Sequence, residues 1–181
     1  MNIRFGERVT SSDLKELGIL KELLVQPATR EVAYLVVQRG LFFGTDTLVP
    51  TEAVAGVTPD GIRLNQTAET ISSQVQEISA PETQPRSSLI PPGFVPGEIS
   101  PPLAAPNGTV SLDHDTPVET SDGRAVGRIL SVTTADRRIT EIVLKGGMAH
   151  PGRTFDAESI GHIEDNRIVL TIPAEALNAA G

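Results

Sequence analysis

The stretch G-I-L-K-E-L-L-V-Q-P-A-T-R-E-V-A-Y-L-V-V, residues 18–37, carries the strongest strand signal in the chain. It is rich in Leu, Val, Ile and Tyr, and the break Q-P-A-T divides it into two apolar runs. Branched and aromatic residues favour the pleated geometry of a sheet, whereas Pro interrupts it. We therefore predict two strands, at residues 19–25 and 32–39.

Similar short runs continue along both ends of the chain. They predict further strands at 48–50, 54–58 and 62–64, and a second series at 126–132, 139–144, 159–163 and 167–171. Pro59-Asp60-Gly61 and Asp165-Asn166 have the composition of hairpin turns. Thr67 is expected to cap a helix whose apolar face holds Ile71, and Pro173 suits the first turn of a second helix.

The two series resemble each other in order as well as in content. V-T-S-S-D-L-K-E-L-G at residues 9–18 is matched by V-E-T-S-D-G-R-A-V-G at 118–127. The segments 32–40 and 52–64 pair in the same order with 139–147 and 158–170. The pattern predicts an internal repeat, in which Asp13 and Asp122 form the first β-turn of each copy and bond nearby backbone N–H groups.

A proline-rich segment separates the two series. Eight of the fourteen prolines lie between residues 81 and 106, and proline is incompatible with a continuous strand or helix. We predict a first domain at residues 1–79, a semi-rigid linker at 80–111 and a second domain at 112–181. Short strands at regular spacing without helical crossovers predict an all-β fold of two small barrels, each ending in a short helix.

The composition limits the classes of function and location. The net charge is −8 and both halves are acidic, which argues against direct binding to nucleic acid. There is no cysteine, so disulfides and thiolate chemistry are excluded. Neither a secretory signal nor an apolar run long enough for a membrane helix is recognisable, and we expect a cytoplasmic protein.

Residues 18–37, followed by L-F-F-G-T-D-T-L-V-P-T-E-A-V-A-G-V-T-P-D-G-I-R-L at 41–64, resemble the PRC-barrel domain. That domain forms the cytoplasmic part of the photosynthetic reaction-centre H subunit and the C-terminal domain of the ribosome-maturation factor RimM. Two tandem copies would cover about four-fifths of the chain. The first copy departs from the pattern at Leu14, which replaces a turn glycine, and the second has Phe155-Asp156 in place of Val49-Pro50.

The resemblance implies a non-enzymatic docking protein without a cofactor. Its expected partners are proteins, including a second copy of the chain, and peripheral contact with a membrane complex is compatible with it. A ribosome-assembly factor related to RimM is one alternative. An accessory subunit of a photosynthetic or electron-transfer membrane complex is another. Neither role follows from the fold alone, because one fold hosts many functions.

Three polar motifs resemble sites of chemistry, and each is better explained as a loop. Ser12-Asp13-Leu14-Lys15 matches Ser-x-x-Lys of penicillin-binding enzymes, but the other motifs of those enzymes are absent. Asp113-His114-Asp115, with His150 and His162, lacks the spacing of metal ligands. The glycine-rich residues 145–153 could hold an anion through backbone N–H groups, yet they lack the P-loop pattern. We therefore predict no catalytic, cofactor or metal residues.

Aromatic side chains are the candidate partner-binding residues, because aromatic residues are only 3% of the chain and are enriched at interfaces. Phe42 and Phe43 are adjacent, so on a strand they would face opposite sides. Phe94 lies in the proline-rich segment, where it could anchor a partner or dock back on a barrel.

Overall fold

The protein is built almost entirely from β-strands, as the sequence predicts. The structure is a computed structural model that describes residues 1–39, 45–78, 106, 108–145, 152–164 and 167–178. In the first half the strands are β1 (Asn2–Arg4), β2 (Arg8–Thr10), β3 (Glu16–Gln26), β4 (Glu31–Arg39), β5 (Thr45–Pro50), β6 (Val54–Thr58) and β7 (Gly61–Leu64). A 3₁₀ helix (Thr51–Ala53) precedes β6, and helix α1 (Ala68–Ile78) follows β7.

The second half has the same order of elements. Its strands are β8 (Val110–Asp113), β9 (Pro117–Glu119), β10 (Ala125–Ala135), β11 (Arg138–Leu144), β12 (Thr154–Asp156), β13 (Ile160–Glu164) and β14 (Arg167–Leu170). A 3₁₀ helix (Ala157–Ser159) precedes β13, and helix α2 (Ala174–Asn178) follows β14. The nine predicted strands are all present. The sequence reasoning missed β1, β2, β8, β9 and β12, which are only three or four residues long.

The long hairpins β3–β4 and β10–β11 form the centre of the molecule. The β10–β11 turn is Asp136-Arg137, and both residues have positive φ, 48° and 68°. Positive φ at both central positions is the geometry of a type I′ turn, which matches the twist of the strands that it joins. The two hairpin ends meet each other, because Val32 N donates to Arg137 O at 2.8 Å and Ile139 N donates to Arg30 O at 2.9 Å.

The first strand of each half pairs with the hairpin of the other half. Strand β1 lies antiparallel on β10, with Ile3 opposite Val132, and β8 lies antiparallel on β3, with Leu112 opposite Leu23. The other pairings in the two halves correspond strand for strand. The path β6-β7-β2-β3-β4 of the first half mirrors β13-β14-β9-β10-β11 of the second.

The prediction of two small barrels joined by a linker is not confirmed. The described strands belong to one fourteen-stranded sheet whose path begins at β13 and ends at β6, and the sheet is not closed. The physical reason is the exchange of β1 and β8. Each of these strands forms its backbone hydrogen bonds with a strand of the other half, so the two halves join into one sheet. Strand β8 begins at Val110, within the range 80–111 assigned to the linker, while residues 79–105 lie outside the described part of the chain.

One hydrophobic core is shared by both halves. Its buried members come from every described strand except β6, and most are less than 3% exposed. The exchanged residues Ile3 and Leu112 are both completely buried in it. Since buried apolar surface is the main stabilising term of a fold, the two halves stabilise each other. The largest fully buried side chains are Ile3, Leu20, Leu23, Leu35, Ile62, Leu64, Ile71, Leu112, Ile129, Ile142, Leu144 and Ile160.

Candidate functional sites

The repeated Ser-Asp stretch folds as a tight turn between β2 and β3. Ser11 is completely buried, and its hydroxyl donates to Asp13 Oδ1 at 2.6 Å while accepting the Lys15 N–H at 3.1 Å. Lys15 Nζ lies 3.0 Å from Asp13 Oδ2. The buried hydroxyl of this turn therefore belongs to Ser11, whereas Ser12, which begins the Ser-x-x-Lys match, is exposed.

Asp13 also caps a helix that lies far away in the sequence. Its Oδ1 accepts the N–H of Ala68, the first residue of α1, at 3.0 Å. The predicted cap residue Thr67 is confirmed as well, because its Oγ1 accepts the Thr70 N–H at 3.3 Å. The first turn of a helix leaves N–H groups without partners inside the helix, and a negative group there is stabilising. Asp13 thus fastens the turn to α1.

The second half repeats this device with different neighbours. Asp122 Oδ1 accepts the N–H of Ala174, the first residue of α2, at 3.1 Å. Thr120 takes the place of Ser11, since its hydroxyl accepts the Arg124 N–H at 3.0 Å. The sequence correctly singled out the two aspartates as backbone acceptors. It placed their partners within the turn, whereas the structure adds a helix more than fifty residues away.

Hydrogen bonds to the ionised carboxylates shift their titration. The Ser11 hydroxyl, the Ala68 N–H and Lys15, in that order of effect, hold the pKa of Asp13 well below its usual range. The Thr120 hydroxyl and then the Ala174 N–H lower the pKa of Asp122. Donors to a carboxylate favour its charged form, so both shifts reflect the turn hydroxyl first and the helix N–H second.

The predicted metal candidates do not converge in the described residues. Asp113 Oδ1 accepts the N–H of Asp115 at 2.9 Å and the Thr116 hydroxyl at 2.9 Å, which closes a local turn. His114 contacts Asp115 at 3.2 Å, and His162 contacts Glu164 at 3.3 Å. Within the described ranges no three His, Asp or Glu side chains are arranged to hold a metal ion. His150 lies outside those ranges.

Only the ends of the glycine-rich loop are described. The backbone N–H of Lys145 donates to Arg128 O at 2.9 Å. Arg153 donates from Nη1 to Leu177 O at 3.3 Å, near the C-terminus of α2. The guanidinium of Arg153 is therefore used to hold α2, and residues 146–151 lie outside the described part of the chain.

The three aromatic partner-binding candidates also fall outside the described residues. Phe42, Phe43 and Phe94 lie in the ranges 40–44 and 79–105, so their assignment stays a prediction. Strand β5 begins directly after residues 40–44. It pairs with β4, with Thr45 opposite Arg39.

A charged cluster on the first half was not foreseen from the sequence. Lys21 Nζ lies 2.8 Å from Asp46 Oδ2 and 3.2 Å from Glu22 Oε1, and Ser111 donates to Glu22 Oε2 at 2.6 Å. The hydrogen bond to Asp46, more than that to Glu22, raises the pKa of Lys21. The residues of this charged cluster come from β3, β5 and β8, and no local sequence pattern predicts that these strands lie together. These contacts tie the exchanged strand β8 to the first half.

An apolar cluster lies beside these charges, on the face of the sheet that points away from the core. We call Leu24, Tyr34, Val36 and Leu48 the outer cluster. Leu23, Leu35 and Val49 are aligned across the same strands and point into the core. Since side chains alternate between faces, the outer cluster lies on the opposite side. Even so, Leu24, Val36 and Leu48 are only 4%, 4% and 3% exposed.

The matching face of the second half is mostly polar. The pairing Leu24–Tyr34 of β3 and β4 corresponds to Thr133–Glu141 of β10 and β11, and Val36–Leu48 corresponds to Val143–Thr154. Thr133, Glu141 and Val143 are half-buried, and Thr154 is exposed. An apolar outer face is therefore a property of the first half and is not required by the strand geometry.

Two arginines at the hairpin ends join the halves. Arg30 donates from Nη1 to Ala157 O and from Nη2 to Ile160 O, both at 2.7 Å. Arg137 lies 3.0 Å from Glu31 through Nη2, and its Nη1 contacts Glu52. Each guanidinium therefore reaches the residues around the 3₁₀ helix of the other half.

Neither described helix has the length and apolar character needed to cross a bilayer. No protein-family model matches the chain, and no curated protein is significantly similar to it.

Proposed function

We propose that the chain is a non-enzymatic binding protein, in which two PRC-barrel-like modules hold a protein partner. The observation that carries the proposal is the role of the repeated Ser-Asp turn. Asp13 and Asp122 are the most conspicuous polar repeat in the sequence, and both carboxylates bond the first N–H of a helix. The polar motif that both halves share therefore has a structural role, because it connects a turn to a helix in each half.

The joined halves suit such a role. They share a core, exchange their first strands and are linked by Arg30 and Arg137, so surface loops of both halves are held on one scaffold. Binding residues are commonly carried on loops that a rigid scaffold positions. Phe42 and Phe43, in the connection from β4 to β5, remain the proposed contact residues together with Phe94.

The test is partner capture with the full chain from its native host, followed by affinity measurement with the purified partner. We expect a Phe42→Ser/Phe43→Ser variant to bind at least about tenfold more weakly, as for aromatic hot spots. A Thr58→Ser variant, changed on an exposed position of β6, serves as the control and should bind normally.

The captured partner distinguishes the candidate roles. A small-subunit ribosomal protein would favour the ribosome-maturation alternative, and subunits of a membrane electron-transfer complex would favour the accessory-subunit alternative. A catalytic turnover that disappears in a Lys21→Met/Asp46→Asn variant would overturn the binding role, because these residues belong to a clustered polar set.

A further inference from the structure

The exchanged strands of the two halves make reciprocal contacts. Ile3 of β1 lies opposite Val132 of β10, and Leu112 of β8 lies opposite Leu23 of β3. In the internal repeat Leu112 is the counterpart of Ile3, and Val132 is the counterpart of Leu23. The second contact is therefore the first one with the halves interchanged. This relation defines an isologous interface, the kind that two identical subunits form about a two-fold axis.

The hairpin ends obey the same relation. Val32 N donates to Arg137 O at 2.8 Å, and Ile139 N donates to Arg30 O at 2.9 Å. Arg30 and Arg137 are counterparts, each with positive φ (57° and 68°) directly before the second strand of its hairpin. The two halves therefore meet as the two subunits of a dimer do, with an approximate two-fold axis between the hairpin ends.

One charged pair near this axis distinguishes the two halves. Arg138 of β11 lies directly opposite Glu31 of β4, and the two positions are counterparts in the repeat. Two first halves would place Glu31 opposite Glu31, and two second halves would place Arg138 opposite Arg138. Like charges directly opposite each other on neighbouring strands are destabilising. The interface therefore favours a first half with a second half, whichever chain supplies each of them.

The length of the connection permits the two halves of one interface to come from different chains. Residues 79–109 connect α1 to β8, and a chain of that length reaches up to roughly 100 Å when extended. Two assembled units of this size, side by side, have centres roughly 40 Å apart. The connection is therefore long enough to join halves that belong to two such units.

We propose that a second copy of the chain is a partner at the interface between the halves. In this exchanged dimer, β1 of each copy pairs with β10 of the other, and β8 of each copy pairs with β3 of the other. Both interfaces are used, so the assembly closes at two chains and does not grow into a filament. The exchanged dimer keeps the strand pairings and core contacts of the single chain. Its share depends on protein concentration relative to the effective concentration of the tethered halves, which is about millimolar or lower.

The exchanged dimer goes beyond the proposed function and does not depend on it. Exchange uses the interface between the halves, whereas the proposed partner protein binds the surface loops. The dimer presents every loop twice, which strengthens binding to a partner that has repeated sites. Either proposal can fail while the other holds, because their contacts lie on different parts of the molecule.

Cysteines placed across β1 and β10 test the exchange, because the chain has no cysteine of its own. Asn2 lies opposite Thr133, and its Nδ2 donates to Thr133 Oγ1 at 3.1 Å. Opposed residues of antiparallel strands have Cα atoms about 4.5–5.5 Å apart, a distance that a disulfide bridges. One variant carries Asn2→Cys and another carries Thr133→Cys, so neither chain can form this disulfide by itself.

The two single variants are unfolded together in urea, refolded at increasing protein concentration and treated with oxidised glutathione. We expect a disulfide-linked dimer joined at positions 2 and 133, identified by mass spectrometry, with a yield that rises with concentration. The control mixture combines Asn2→Cys with Thr58→Cys, an exposed position on β6, which pairs with β7. The yield from the test mixture should exceed that of the control at least about tenfold, because exchange holds the two thiols together.

The full chain with both changes, Asn2→Cys/Thr133→Cys, is the reference and should form the disulfide within one chain after dilute refolding. If it does so while the mixed single variants never link at positions 2 and 133, the proposal is overturned. A dimer in sedimentation without this link also overturns it, because another surface then joins the copies. Failure of the reference to form its disulfide overturns it as well, since β1 then does not lie on β10.

Discussion

Leu14 holds a backbone conformation that side chains normally avoid. Its φ is +61°, and 68% of the residue is exposed, so packing provides little compensation. The matching position in the second half is Gly123, with φ +78° and open space where a Cβ would be. A left-handed conformation costs roughly 1–2 kcal/mol for an ordinary residue. Glycine avoids this cost but loses more backbone entropy on folding than other residues do.

We therefore expect Leu14→Gly to raise the free energy of unfolding by up to about 1 kcal/mol, since the relief of strain exceeds the added chain entropy. Urea unfolding monitored by circular dichroism measures the change. The reciprocal variant Gly123→Leu should be destabilised. A destabilised Leu14→Gly protein would contradict the strain argument.

Asp13 links stability to pH through the hydrogen bonds that its carboxylate accepts. Its pKa in the folded protein is lowered by the Ser11 hydroxyl, the Ala68 N–H and Lys15, so the unfolded chain binds the proton more tightly. The stabilisation is therefore complete above the ordinary Asp pKa, at about 4, and is lost as the pH falls below it. An Asp13→Asn variant should have a lower unfolding temperature at neutral pH.

The difference between wild type and Asp13→Asn should shrink as the pH is lowered from about 6 to 3. Thermal unfolding across this range provides the measurement, with Asp60→Asn, in the turn between β6 and β7, as the control. If the difference in unfolding temperature grew toward low pH, the ionised carboxylate of Asp13 would not be the source of the stabilisation. Asp122→Asn should behave like Asp13→Asn because the same kind of contact lowers the pKa of Asp122.

At the scale of the strands, Gly18 is needed because a neighbouring backbone lies very close to it. The geometry of a turn does not explain this glycine. Gly18 lies within β3 with φ +147°, and a Cβ there would be 2.2 Å from Gln38 O on the neighbouring strand. The matching Gly127 has more room, because its nearest neighbour would be Leu144 Cδ1 at 3.5 Å. Equivalent sequence positions therefore differ in their steric need for glycine.

We expect Gly18→Ala to lower the free energy of unfolding by about 2 kcal/mol or more, because β3 and β4 would have to separate. Gly127→Ala should change it by less than about 1 kcal/mol. Chemical unfolding of both variants gives the comparison. Equal losses would mean that the close contact at Gly18 is relieved by a small shift of the strands.

The sequence predicts the elements well where their signal is local. Short apolar runs rich in branched residues located β3, β4, β10 and β11, and hydroxyl and proline preferences located the starts of both helices. The exchanged strands β1 and β8 were missed because three or four residues carry too little periodicity. The predicted hairpin at Pro59-Asp60-Gly61 is confirmed, and Gly61 has a positive φ of 124°. The sequence did not show its second, steric role, since a Cβ there would lie 2.2 Å from Arg8 O.

At the scale of the whole molecule, the two halves are held together by more than the chain that connects them. Each contributes a strand to the other, and Ile3 and Leu112 are completely buried. The sequence could not reveal this, because a repeat predicts two similar units without saying which strands pair between them. The outer cluster was hidden for a similar reason, since its residues lie on three strands.

Cleavage of the connecting segment should therefore leave the protein assembled. With a specific protease site inserted after Arg86, we expect the cut chain to elute as one species in native size-exclusion chromatography and as two fragments in denaturant. The shared core and exchanged strands provide the physical reason. An insertion without cleavage is the control. Separation of the fragments under native conditions would show that the linkage depends on the covalent chain.

The exchange of first strands also governs the order in which the protein can fold as it is made. Ile3 of β1 is synthesised about 130 residues before its partner Val132 of β10. Strand β3 has no neighbour on its β8 side until Leu112 has been added. Contacts so distant in sequence close slowly, and domains usually fold from the N-terminus during synthesis. Here the N-terminal half must wait for the second, with a strand edge open to other chains in the meantime.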